Sequence, residues 1–195
     1  MRFGMGFVVT LLFAWLVFRG IVRRDYLHQG ALSLPAKASE FLVFGLHANL
    51  PYLYLSTPWP LLPPFPNSPL QLVLGLALFA VGLLATLVMM TQLGFKTTMG
   101  NQPDQLQRIG PYRWCRNPQL LSYGLMLIGC VILYPSWQAA AWLVLYGAIA
   151  RLMVQTEEEH LGNLFGVEFE DYCRQTPRFL PPTGKGGILL ERSKD

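Results

Sequence analysis

Residues 110–118 read Gly-Pro-Tyr-Arg-Trp-Cys-Arg-Asn-Pro, and they lie between long apolar stretches of a 195-residue chain. A second charged stretch, residues 157–159, consists of three consecutive glutamates and follows the last apolar stretch. Charged side chains are costly to remove from water, so cations and carboxylates at the mouth of an apolar bundle indicate a site. The chain is 52% hydrophobic and only 13% charged, which is unlike a soluble domain.

Five apolar runs account for this composition. They cover residues 3–22, 41–56, 70–90, 119–134 and 137–154. A span needs about 20 apolar residues to cross roughly 30 Å of hydrocarbon, so the first and third runs are long enough outright. The others are short, but a bundle can host short helices, and we expect an all-α integral membrane fold with five transmembrane helices. The alternative for the last two runs is a re-entrant hairpin that does not fully cross.

The first run has a second interpretation, a signal peptide. Its length, the Arg23-Arg24 pair that follows it and the lack of a small-residue cleavage site favour a retained span.

The distribution of charge predicts the orientation of the chain. Segment 57–69 has no charged residue, whereas nearly every Lys and Arg lies in or beside the loops 23–40 and 91–118 or the region from Arg151 onward. The positive-inside rule then places the N-terminus outside and the C-terminus in the cytoplasm, and five spans give the same alternation. The pI of about 9.1 is explained by topology and by contact with anionic membrane lipids, so we expect no nucleic-acid partner.

Cysteine and histidine residues do not predict a metal site, because neither set has the spacing of metal ligands. Cys115 has two interpretations, a nucleophile activated by the neighbouring arginines or a small residue in a packed loop. His47 lies inside the second apolar run. It is either a functional intramembrane group or a neutral imidazole hydrogen-bonded to a neighbouring helix.

Both charged stretches are expected on the cytoplasmic side, where they can assemble a pocket. Pro118 is suited to the first turn of a helix, whose free N–H groups attract carboxylates, and Arg116 can grip a carboxylate with its planar fork. Thr156 and Glu159 fit a capping box, which predicts that a new helix begins there. Its apolar face would carry Leu161, Leu164, Phe165, Phe169 and Tyr172. The alternative for the glutamates is a solvated helix start.

These residues resemble a known family. Residues 110–118 are similar to the Gly-x-Tyr-x-x-x-Arg-His-Pro signature of the isoprenylcysteine carboxyl methyltransferases and related phospholipid methyltransferases. The paired glutamates, the Phe165-Gly166 element with Tyr172, and the Arg178-Phe179-Leu180-Pro181 ending also resemble that family. The resemblance covers roughly residues 85–182. Membrane sterol reductases share a similar Arg-His-Pro element, so a reductase that uses NADPH is the alternative.

The resemblance implies a membrane methyltransferase that uses S-adenosylmethionine and acts on a lipophilic or lipidated acceptor. It implies a cytoplasmic cofactor pocket formed by the 91–118 loop and the C-terminal helix. The cofactor-binding residues that it implies are Gln105, Leu106, Tyr112, Asn117, Pro118, Leu120 and Glu157, and the catalytic residues are Arg116, Glu158 and Arg151. The chain then divides into a three-span region 1–90, a methyltransferase-like region 91–182 and a flexible tail 183–195.

Three positions depart from the family pattern. Asn117 stands where the family has His, Leu120 where a Tyr is usual, and Met153 where an Arg is expected. The missing Arg favours an acceptor with less anionic charge than a carboxylate, such as an amine, a thiol or a phenol-like hydroxyl. The three losses also leave open a non-enzymatic membrane protein on the same scaffold.

Overall fold

The computed structural model describes residues 1–94, 101 and 105–179, and all the regular structure in these ranges is helical. The helices are α1 (Arg2–Gln29), α2 (Leu34–Asn49), α3 (Pro69–Leu93), α4 (Pro118–Leu133), α5 (Trp137–Phe165) and α6 (Val167–Gln175). Helix α1 widens into π-helical geometry over Leu16–Val22. Short 3₁₀ turns cover Leu50–Leu53 and Gly110–Arg113. The predicted flexible tail 183–195 lies outside the described residues.

Three helices in the described part of the chain are long and apolar enough to cross a membrane. They are α1, α3 and α5. Helix α4 is apolar but has only 16 residues, and α2 has the same length. The all-α fold is therefore confirmed, with three spans of sufficient length, and the count of five stays a prediction.

The predicted loop 23–40 is largely helical, so that prediction was wrong. Helix α1 continues to Gln29 and stops at Gly30, whose φ of 67° suits glycine. Helix α2 already begins at Leu34, because Oγ of Ser33 accepts a hydrogen bond from the backbone N–H of Ala36. The buried carboxylate of Asp25 in turn accepts the Ser33 N–H at 3.0 Å. Local capping thus extends both helices through polar sequence.

Helix α5 runs without interruption through the predicted capping box, so the prediction of a new helix at Thr156 was wrong. The Thr156 side chain is buried, and its hydroxyl shares its proton between the carbonyls of Phe18 in α1 at 3.2 Å and Leu152 in α5 at 3.1 Å instead of capping a helix. The helix ends only at Gly166, and the apolar face predicted for one helix is divided between α5 and α6. Its 29 residues measure about 44 Å, which exceeds the roughly 30 Å apolar layer, so one end must extend beyond it. We expect this to be the end past residue 154, because the three glutamates there are costly to place in lipid.

Helices α3 and α4 pack through their glycines. A Cβ atom added to Gly82 would lie 2.3 Å from the backbone nitrogen of Met126, and one added to Gly129 would lie 2.5 Å from that of Phe79. Small residues that let helix backbones approach are typical of membrane helix pairs. The backbones of α3 and α4 are therefore in direct contact at these glycines.

Helices α1, α2 and α5 enclose an apolar core that includes Phe18, Leu145 and Ile149. His47 of α2 is fully buried in it, with Nε2 lying 3.2 Å from the carbonyl oxygen of Trp142. The indole N–H of Trp142 donates back to the carbonyl of His47 at 2.7 Å. These contacts match the second interpretation of His47, a hydrogen bond to a neighbouring helix.

Candidate functional site

A cavity of about 440 Å³ lies beside the end of α5 that extends past the apolar segment 137–154. Its walls come from α1, α3, the segment 105–119, α5 and α6. Seven predicted site residues line it together: Gln105, Leu106, Tyr112, Arg116, Asn117, Glu157 and Glu158. The structure thus brings the arginine and glutamate stretches to one place.

Three predicted site residues do not line the cavity. Pro118 opens α4 directly after Asn117, as its sequence position predicts. Leu120 is buried, and its carbonyl accepts a hydrogen bond from the Tyr146 hydroxyl at 2.6 Å. Arg151 is exposed. It precedes Glu157 by six residues, which turns it by about 240° around the helix, away from the cavity.

The acidic turn, residues 156–159 of α5, sends its side chains in separate directions. Thr156 binds α1, as described above. Glu159 also binds α1, where Nε of Arg23 donates to it at 2.8 Å and Nη1 of Arg19 lies at 3.6 Å. Successive residues of an α-helix are about 100° apart, so a run of three glutamates can serve three neighbours. The contact between Thr156 and Phe18 fixes α5 against the π-helical part of α1.

Glu158 is enclosed by two guanidinium groups. Nε of Arg178 donates to Oε1 at 3.0 Å, and Nη1 of Arg116 lies 3.3 Å from the same oxygen. A second Arg178 nitrogen binds Oε2. The carboxylate is occupied on both oxygens, so its contacts favour positioning of the two arginines, and the catalytic role predicted for Glu158 stays a prediction.

Glu157 faces the cavity, and no ion pair joins it to another residue of the described ranges. Burial, and then the charge of Glu158, raise the pKa of Glu157 to about 7. Glu40, at the start of α2, responds to the same carboxylate: burial, and then Glu157, raise its pKa to about 8. An uncompensated carboxylate here would be stabilised by a bound cation.

The segment 108–117 is held against α6 and the residues after it, in parallel and with a nearly constant register. Arg108 donates to the carbonyl of Glu168 at 2.5 Å, and the Tyr172 hydroxyl donates to the carbonyl of Tyr112 at 2.7 Å. Nδ2 of Asn117 donates to the carbonyl of Arg178 at 3.0 Å. These contacts join the two sequence elements that carry the resemblance.

Cys115 belongs to this packed segment. It is buried, and its Sγ lies 3.5 Å from the carbonyl oxygen of Arg178. Burial raises the pKa of the Cys115 thiol above its usual range, which opposes formation of a nucleophilic thiolate. Its contacts match the packed-loop interpretation.

Several lining residues were not among the predicted site residues, and two of them, Tyr26 of α1 and His160 of α5, contact each other. Their rings are stacked, with centroids 4.1 Å apart and planes 7° from parallel. Tyr26 lies in a helix with no motif, and only the docking of α1 on α5 brings it to the cavity. His160 directly follows the glutamates, and its position one helical turn after Glu157 was the available signal.

Comparisons with known proteins identify the family of the chain. A sequence model of phospholipid methyltransferases matches residues 70–168, half of the chain, and that range includes most of the cavity lining. The nickel-cobalt-cadmium resistance protein NccN of Alcaligenes xylosoxydans xylosoxydans is 34% identical over 82 residues, which is 42% of this chain and 38% of that protein. No solved structure matches the chain. With its apolar helices and its match over half of its length, the chain belongs to the phospholipid methyltransferase family of membrane methyltransferases.

Proposed function

We propose that the protein transfers a methyl group from S-adenosylmethionine to a lipophilic acceptor, in the manner of the isoprenylcysteine carboxyl methyltransferases. The observation that carries this proposal is the unpaired Glu157 on the wall of a cavity formed mostly by the family-matched region. The donor is a polar cation that also carries a carboxylate, and the cavity offers groups that suit both charges.

The residues present fit that cofactor. Glu157 would hold its ammonium or ribose hydroxyl groups, because a desolvated carboxylate makes strong charge-assisted hydrogen bonds. Arg116 lines the cavity, and its one ion pair among the described residues is with Glu158, so its positive charge can also attract a carboxylate. Gln105, Leu106 and Tyr112 would line the remainder. When bound, S-adenosylmethionine supplies a methyl group already activated on a sulfonium.

The chain then has little covalent chemistry to perform. Its residues must hold donor and acceptor in line and exclude water. The acidic turn is suited to this, since Glu158 and Glu159 fix the neighbouring segments while Glu157 stays free. The role that we propose for Arg116 is to hold the carboxylate of the cofactor through its positive charge.

The acceptor is proposed to be an amine, a thiol or a phenol-like hydroxyl on a lipophilic molecule. Met153 packs against the apolar core, so no cation stands where the family has an Arg for a carboxylate. Arg151, the nearest cation on α5, is exposed on another side of the helix. The apolar helices beside the cavity favour acceptors drawn from the membrane.

The orientation proposed for the chain has the N-terminus outside and the C-terminus in the cytoplasm. Single cysteines placed at Ser68 and at Arg108, in a background lacking the three native cysteines, test it with an impermeant thiol reagent on intact cells. We expect labelling at Ser68 alone, and equal labelling at both positions would contradict the topology.

A methyl-transfer assay tests the proposed function. Purified protein is supplied with methyl-labelled S-adenosylmethionine and a membrane lipid extract, with NADPH in a parallel reaction. We expect label in an organic-phase product that depends on the protein and is unaffected by NADPH. Consumption of NADPH with no labelled product would favour a sterol-type reductase, and inactivity with both would favour a non-enzymatic protein.

A further inference from the structure

We propose that His160 takes the proton from the acceptor during methyl transfer, and that the acceptor is therefore a molecule whose methylated atom carries a proton. This inference rests on the proposed function and deepens it. It separates thiols, amines and hydroxyls, which must lose a proton, from carboxylates, which have none to lose.

The first observation is an unsatisfied imidazole in the cavity wall. His160 is only 8% exposed, and its Nε2 is buried with no hydrogen-bond partner in the described part of the protein. Buried polar atoms are nearly always hydrogen-bonded, so the orphan Nε2 shows that the packing around this ring does not satisfy it. The ring itself belongs to the cavity wall, where a bound acceptor meets it.

The second observation is that the ring is held in place. Tyr26 of α1 stacks on it at 4.1 Å and within 7° of parallel. Helix α5 is itself fixed to α1 by the Thr156 hydroxyl and by the ion pair between Glu159 and Arg23. A base contributes to catalysis only if its lone pair is positioned, and these contacts supply that positioning.

Burial, rather than a charged partner, favours the neutral form of the ring. The titratable groups around this cavity are Tyr26 of α1, Glu40 of α2, Glu157 and Glu158 of α5, Arg116 and Tyr112 of the 105–119 segment, and Tyr172 of α6. No ion pair joins His160 to any of them, and burial lowers its pKa below the ordinary value. A neutral imidazole is the form that can accept a proton.

The bond between the methyl carbon and the sulfonium sulfur breaks, and its electron pair stays on the sulfur, which becomes neutral. The acceptor heteroatom uses a lone pair to form the new bond to the methyl carbon. The proton on that heteroatom moves to an imidazole nitrogen of His160 and later leaves to water.

The test compares His160→Gln with His28→Gln, since His28 is exposed and lies outside the cavity lining. The probes are dodecanethiol, dodecylamine and N-acetyl-farnesylcysteine, which presents a carboxylate. We expect His160→Gln to slow transfer to the thiol and the amine by about 100-fold, the usual contribution of a positioned base. At saturating S-adenosylmethionine, the wild type should lose activity toward dodecanethiol at low pH as His160 becomes protonated. His160→Gln should lack this pH dependence, and His28→Gln should behave as wild type.

A binding measurement separates this proposal from the proposed function. S-adenosylhomocysteine should bind wild type, His160→Gln and His28→Gln within about twofold of each other, whereas failure to bind wild type would contradict the cofactor assignment itself. Dodecanethiol added to the S-adenosylhomocysteine complex should bind His160→Gln about 5-fold more weakly, from the loss of one hydrogen bond. His160→Asn provides a second variant if Gln is not tolerated.

Two results would overturn the role of His160. One is unchanged transfer to thiol and amine in a folded His160 variant. The other is a wild-type protein that methylates the farnesylcysteine carboxylate and neither protic probe.

Discussion

The α3–α4 helix pair and the acidic turn of α5 are both closely packed, but different contacts hold them. In the pair, glycine backbones meet with no room for a methyl group. In the acidic turn, Glu159 is joined to Arg23 of α1. Glu158 is joined to Arg116 and to Arg178. The first arrangement involves no charged residue, whereas the second lines a cavity and leaves Glu157 uncompensated.

This difference shows how the chain combines a membrane anchor with a polar site. Close backbone packing stabilises helices in lipid, where apolar side chains gain nothing over lipid tails. Ion pairs outside the apolar layer can hold several segments around a space, because each long arginine side chain reaches across it. We therefore expect mutations in the two regions to have separable effects on stability and on ligand binding.

The largest effect is expected for Glu158→Gln. Arg116 and Glu158 are only 12% and 15% exposed, and removing one charge leaves the buried guanidinium unpaired. We expect a loss of about 3–5 kcal/mol of unfolding free energy, together with loss of S-adenosylhomocysteine binding. Reversible unfolding in detergent measures the first. Glu170→Gln, at an exposed pair on α6, is the matched control and should change little.

A smaller effect is expected for Gly82→Ala. The new methyl group would lie 2.3 Å from a backbone nitrogen of α4, so the helices must separate, at a cost of about 1–3 kcal/mol. Gly147→Ala on α5 has nothing within 4 Å of the added carbon and should be neutral or stabilising. The comparison would fail if Gly82→Ala weakened ligand binding while leaving stability unchanged.

The smallest effect is expected for Glu159→Gln. The side chains of Arg23 and Glu159 are 40% and 29% exposed, so solvent screens their attraction. A double-mutant cycle with Arg23→Gln should give a coupling energy of at most about 1 kcal/mol. A coupling energy several times larger would contradict this expectation. It would mean that the Arg23–Glu159 pair stabilises the site as strongly as the ion pair of Glu158.

Hydropathy predicted the long apolar helices well, because membrane insertion depends on composition over some 20 residues. The run 70–90 became Pro69–Leu93. Local motifs predicted helix ends and loops less well, because tertiary contacts override local preferences at those positions. Thr156 has the sequence of a helix cap, but its hydroxyl binds α1, and Asp25 lies in a predicted loop but is buried in α1.

The candidate site was predictable to the extent that its residues belong to the two charged stretches. Glu157, Arg116 and Tyr112 line one cavity, as the resemblance implies. Tyr26 could not be anticipated, because nothing in the sequence says which face of α1 meets α5. Arg151 was named because it is the cation nearest to Met153, but helical geometry turns it away from the cavity.

The central claim is that Glu157 belongs to an S-adenosylmethionine site, and calorimetric titration with S-adenosylhomocysteine tests it most directly. Because the pKa of Glu157 is about 7 and its ionised form attracts the ligand's ammonium group, wild-type affinity should rise between pH 6 and pH 8. Glu157→Gln should bind about 1.5–3 kcal/mol more weakly at pH 8 and lose that pH dependence. No binding to the wild type, or equal affinity of folded wild type and Glu157→Gln at both pH values, would contradict the claim.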